Sequence, residues 1–141
     1  MADTPRPWAI LEAAQLRLQG IHVADGFRTD AGDDVRLEPS ADALVAPRIT
    51  LYTAALVRPD GAPSKAQREF TLVVEAAVPT SIDNAHRAVV DIAEDIEQAI
   101  GNLALMPGAL PLEFQESLFL DRPDGMPAMC VQLMFTTEFR R

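Results

Sequence analysis

The sequence predicts an α+β domain over residues 1–141, with one mostly antiparallel sheet of about four to five strands and two helices packed on it. Three observations carry this. Residues 81–102, SIDNAHRAVVDIAEDIEQAIGN, place Ile82, Ala85, Val89, Ile92, Ile96, Ala99 and Ile100 at steps of three and four, which is one face of a helix. Residues 48–57 and 68–78 alternate side-chain character around the connection RPDGAPSKA, the pattern of a hairpin. A second alternating pair, 112–120 and 129–139, follows the helix, so the order is helix, hairpin, helix, hairpin.

At the start of the chain, residues 1–3 are expected to be loose. Thr4 can cap a helix whose first turn takes Pro5 or Pro7. That helix runs to about Leu18, with Trp8, Leu11, Ala14, Gln15 and Leu18 on one side, and ends at Gln19 and Gly20. Residues 21–47 read as irregular, with turn signals at Asp25-Gly26 and Gly32-Asp33-Asp34. Within them 27–29 and 35–37 could form short strands, and Pro39, Ser40 and Asp42 open a loop that ends at Pro47.

The first long strand, 48–57, is expected to put Ile49, Leu51, Thr53, Ala55 and Val57 on one face and Thr50, Tyr52 and Leu56 on the other. In the second, Phe70, Leu72, Val74, Ala76 and Val78 alternate with Glu69, Thr71, Val73 and Glu75, and Pro79 closes it. Ser81 is the expected N-cap of the central helix, with Asp83 in its first turn and Gly101 and Asn102 ending it. Its narrow apolar stripe should bury Ile92 and Ile96 against Leu72, Val74, Leu133 or Phe135. The third strand should turn Leu112, Phe114, Leu118 and Leu120 to one face, and the fourth should point Met129, Val131, Leu133, Phe135 and Phe139 inward. Arg-Pro-Asp-Gly occurs twice, at 58–61 and 122–125, as a turn in which Pro fixes φ and Gly takes a positive one.

The polar face of the central helix is unusual. Asp83–Arg87 and Arg87–Asp91 are favourable pairs four residues apart, but beyond them stand only Asp91, Glu94, Asp95 and Glu97. Asp91 and Asp95 repel at that spacing, and all four acids lie toward the negative end of the helix dipole, at about a few tenths of a kcal/mol each. Such a face is either solvated surface that tolerates the cost or one whose charge meets a basic partner or repels a polyanion.

Composition bounds the rest. A 141-residue chain that is 48% hydrophobic and 23% charged fits one soluble domain with its own core. A net charge of −9 argues against gripping nucleic acid through a broad basic surface, though not against surrounding DNA without gripping it. All but one of the 12 cations are Arg, the exception being Lys65. Cys130 is the one cysteine, so no intrachain disulfide is expected. No apolar run is long enough to span a bilayer and MADTPRPW lacks the order of a signal peptide, so a cytoplasmic site of assembly is expected.

The motifs of chemistry are absent. His22 and His86 belong to no metal-type cluster, and no GxSxG, P-loop or GxGxxG occurs. Cys130 alternates with Met129 and Val131 in a strand, which reads as a packed thiol. The acids Asp33, Asp34 and Asp60 sit in turn contexts, where Asp is favoured by backbone geometry. Neither a cofactor nor a metal is expected, and the chain reads as a non-enzyme.

Against this background REFTLVVEAAVP (68–79) followed by an amphipathic helix resembles the strand–helix unit of the phage tail terminator family, the lambda-type minor tail proteins. AMCVQLMFTTEFRR (128–141) is similar to that family's C-terminal strand and PRITLY (47–52) to its first long strand; an N-terminal helix before an irregular segment with Asp25-Gly26 also agrees. The long 58–65 loop and the pair Arg140 and Arg141 depart from the smallest members.

The resemblance implies a structural virion protein at the head-proximal end of a tail, assembled in a bacterial host's cytoplasm. It would form a hexameric ring on the last ring of tail tube protein, end tube growth, and offer a surface to a head–tail connector or stopper. DNA would pass through its channel without specific binding, and no membrane is involved. A head–tail stopper or other neck protein is the alternative, and a small cytosolic enzyme or binding module is a second. Segment 25–47 and tip 58–65 are the candidate subunit contacts, through Arg28, Asp33, Asp34, Arg36, Arg58, Asp60 and Lys65, because a ring interface joins two different patches. Asp91, Glu94, Asp95 and Glu97 are the candidate acids of the lumen or of the interface.

Overall fold

A computed structural model describes residues 3–39, 42–61, 64–120 and 127–141. They form helix α1 (Arg6–Leu18), 3-10 turns at Val23–Asp25 and Ala31–Asp33, strands β1 (Val35–Arg36), β2 (Arg48–Val57) and β3 (Gln67–Pro79), helix α2 (Ala85–Ile100), and strands β4 (Glu113–Phe119) and β5 (Ala128–Arg140). The sheet order is β1-β2-β3-β5-β4, antiparallel throughout except for the short parallel pair β1–β2. The architecture is the predicted α+β fold. The second Arg-Pro-Asp-Gly, at 122–125, lies outside the described residues, as does Ser40.

The core forms where the two helices cover one face of the sheet. α2 packs on β3 and β5, and α1 packs on α2 and β2. Ile92, Ile96 and Ile100 of α2 are buried with Leu72 and Val74 of β3 and Leu133 and Phe135 of β5, as the stripe predicts. α1 contributes Ile10, Leu11, Ala14 and Leu18, while Trp8 is half-buried beside them. Gln15, on the same side, spends its polar end on the chain itself: its Nε2 donates to the Val35 carbonyl at 2.9 Å.

Several local expectations need correction. Pro5 rather than Thr4 occupies the N-cap of α1. Ser81 does not cap α2: residues 80–84 turn first, and Asn84 takes the cap position with φ 61°. Residues 27–29 form no strand, because the amides of Arg28 and Thr29 donate to a side chain instead of a ladder. Val35 and Arg36 do pair, but in parallel with Ile49 and Thr50.

Two bulges rewrite the face assignments. One between Thr53 and Ala55 breaks the alternation of β2 and sets Leu56, not Ala55 or Val57, across from the buried Phe70; Ile49 and Leu51 are buried, and residues 52–57 are exposed on both faces. The other, between Phe114 and Glu116, puts Phe114 and Leu118 on opposite faces, since Phe114 lies across from Phe135 and Leu118 from Gln132. All of β4 is exposed, and only the preceding Leu112 is buried. In β5, Val131, Leu133, Phe135 and Phe139 are buried as expected, but Met129 is only half-buried. Gly61 has φ 71°, the conformation the Pro-Asp-Gly turn asks of it.

Because Ile92 is 1% exposed at the centre of the packed face, Ile92→Ala should lower unfolding stability by about 2–5 kcal/mol in denaturant titration. An unchanged midpoint would contradict the packing of α2 on the sheet.

Candidate assembly surfaces

The acidic face of α2 divides into three environments. Asp91 lies 3.1 Å from the Arg87 Nε, the predicted pair one turn apart. Asp95 is fully buried. Its Oδ1 accepts from the Arg28 amide at 2.9 Å, and its Oδ2 accepts from the Thr29 amide at 2.9 Å and the Thr29 hydroxyl at 2.8 Å. The Arg28 guanidinium stands 3.6 Å away. Asp95 is therefore corrected from a lumen or interface acid to a clamp that ties the irregular segment to α2. The expected Asp91–Asp95 repulsion is relieved, because one acid is paired and the other turned inward.

Glu94 and Glu97 remain on the surface. With Arg28, Gln98, Gly101, Asn102 and Phe114 they line an open polar cleft of about 480 Å³. Gln98 reaches back over the loop, its Nε2 lying 3.5 Å from the Gly26 carbonyl. The fold thus brings Arg28 from the first candidate set together with two acids from the second. Their separation in sequence hid this.

The irregular segment is built around its own charges. Asp34 accepts from the Arg36 Nε at 2.7 Å and from the Arg48 Nε at 3.1 Å. Partial burial pushes the Asp34 carboxyl up, but the hydrogen bonds and charges of Arg36 and Arg48 outweigh it and hold the group below its ordinary value. Arg36 also reaches Asp42 at 3.4 Å. Asp33 and Asp30 flank His22, each 3.6 Å from its Nδ1. Gly32 lies so close to the backbone that a Cβ there would stand 2.6 Å from the Gln19 carbonyl oxygen, which explains the glycine. Asp34 and Arg36, both candidate subunit contacts, are thus paired with one another within the chain and remain partly exposed.

Arg58, Asp60 and Lys65 are exposed around the β2–β3 connection. Arg48 was not among the sequence candidates; its side chain closes the Asp34 cluster, and an arginine opening a strand gives no local sign of that. Cys130 is buried, and burial together with the Glu75 charge pushes its thiol up from the ordinary value, so it stays protonated. Among the described residues no group of three or more His, Cys, Asp or Glu could hold a metal ion, and no helix is long and apolar enough to cross a membrane.

No protein-family model matches the chain and no curated protein matches it. Solved structures do: 24 chains share its fold. One, from the virion of a native gene transfer agent particle, aligns with a TM-score of 0.66 at 15% identity, over 92% of this chain and 93% of its own. Another, of a protein carrying no functional name, aligns with a TM-score of 0.52 at 15% identity, over 94% of each chain.

Asp95→Ala removes the shared acceptor of three part-buried donors at once, so it should destabilise the fold by about 3 kcal/mol and speed amide exchange at Arg28 and Thr29. Unchanged stability and exchange would contradict the clamp.

Proposed function

We propose that this chain is a structural protein of a phage-like virion and that it acts as the tail terminator. The observation that carries the reading is the fold likeness to a chain of a gene transfer agent virion over more than nine-tenths of both chains. The strand and helix patterns that resemble the terminator family supply the finer role. In this reading six copies form a ring on the last ring of tail tube subunits, stop tube growth, and face the head–tail connector or stopper. The role needs surfaces rather than catalysis.

The charge suits a channel. Counterion release makes a row of lumen cations adhesive to phosphate, and adhesion would slow DNA leaving the head. A ring of chains each carrying −9 avoids that, with repulsion reaching about 8–10 Å in physiological salt. Glu94 and Glu97 are the acids of α2 left for the lumen or for a neighbour's arginines, since Asp95 is buried.

Electron micrographs of particles made without this chain test the role. Tail tubes of uncontrolled length are expected. Normal tails beside unjoined heads would replace the terminator role with that of a stopper, and intact particles would overturn a structural role altogether.

A further inference from the structure

Arg6 of α1, Arg68 of β3 and Arg141 gather around a cleft of about 430 Å³ whose other walls are Pro5, Pro7, Leu56 and Phe139. Among the described residues none of the three is ion-paired with a carboxylate. Arg68 spends its guanidinium on the Lys65 and Gln67 carbonyls, at 2.6 and 2.9 Å. Arg6 and Arg141 are exposed, and among the described residues their guanidinium groups find no acceptor. In a chain of net charge −9 these two cations beside apolar walls are a local exception.

Two glutamates are in the converse position. Glu94 and Glu97 stand in the second half of α2, whose last turn carries no basic residue. They therefore add to the negative end of the helix dipole. Among the described residues neither has an ion-pair or hydrogen-bond partner for its carboxylate. The open cleft they line, of about 480 Å³, is also walled by Phe114. Arg28, in the same cleft, is held 3.6 Å from Asp95. Two unpaired carboxylates beside an exposed ring suit an incoming guanidinium, which hydrogen-bonds carboxylates in a fixed fork and stacks on aromatic faces.

Both clefts open on the helix-bearing face of the sheet. Leu56 lies across from the buried Phe70, and Phe114 across from the buried Phe135. Directly opposed residues share a face. β3 and β5 lie between β2 and β4, so the arginines stand to one side of that face and the glutamates to the other. Within the chain no ion pair joins the two sets among the described residues. Two copies set side by side bring them together.

We infer that neighbouring subunits of the ring are joined by Arg6 and Arg141 of one copy entering the cleft of Glu94, Glu97 and Phe114 of the next. The junction joins two different patches, as ring closure requires. The inference rests on the ring proposed above, and it assigns Glu94 and Glu97 to the subunit boundary rather than to the lumen.

Charge reversal of the full chain tests it, read by light scattering and native mass spectrometry under the conditions in which wild type closes. One variant carries Glu94→Arg with Glu97→Arg, the other Arg6→Glu with Arg141→Glu. Each alone should need about ten-fold or more protein to assemble than wild type. An equimolar mixture should recover rings, because alternating copies restore opposite charges at every junction of an even-numbered ring. Either variant assembling as readily as wild type, or a mixture of folded variants no better than each alone, overturns the junction and leaves the terminator role standing. Failure of the wild-type chain to assemble, alone or with tube subunits, overturns the ring and the junction with it. Should a reversed variant lose the wild-type melting transition, Glu94→Gln with Glu97→Gln and Arg6→Gln with Arg141→Gln decide: each pair should weaken assembly, and unchanged assembly overturns the junction.

Discussion

The packing of two helices on the middle of one face of the sheet is the constraint on which the rest depends. α2 has 16 residues and is about 24 Å long. β3 and β5 have 13 residues each and extend about 43 Å. A helix of that length cannot span two such strands alone, yet their inward residues are buried from Phe70 to Val78 and from Val131 to Phe139, while the outer strand β4 and the far half of β2 stay uncovered. The buried residues run from Ile92 and Ile96 outward to Leu72 and Phe135. A core sufficient for a domain and a surface suited to assembly thus come from the same geometry.

Asp95 ties the irregular segment to that core. Three donors of residues 28 and 29 converge on one buried carboxyl, which turns what reads as a loop into a fixed edge of the molecule. The Asp34 cluster does the same nearer β2, through Arg36 and Arg48. Loops held at both places can present Arg28 and the α2 acids in a constant arrangement without secondary structure of their own.

The fold was legible wherever one period ran unbroken. The steps of three and four identified α2 and its buried Ile92 and Ile96, and β2 begins and ends where its pattern does. Legibility failed where one residue changes the geometry. A single extra residue at each bulge reverses which side chains face the core, and alternation alone carries no mark of it. The terminal residue of a helix fails for a related reason: Ser81 has the chemistry of a cap, but the turn before Asn84 delays the start. Asp95 reads as a surface acid when charge alone is followed along the helix. It lies three residues after Ile92 and beside Ile96, within reach of the apolar stripe, and that position is the local sign that it points inward. Its partners are more than 60 residues away in sequence and could not be found locally.

The proposed role joins these features. In that proposal the sheet leaves two edges open among the described residues, at β4 and at the far half of β2, and a net acidic chain suits a channel through which DNA would slide. The claim at the centre is that this chain closes on itself in a fixed number. Native mass spectrometry of the purified protein tests that most directly. The account predicts a dominant species of six copies that persists on dilution into the micromolar range or forms when tail tube subunits are added. A monomer under both conditions, or an open series of masses without closure, would contradict it.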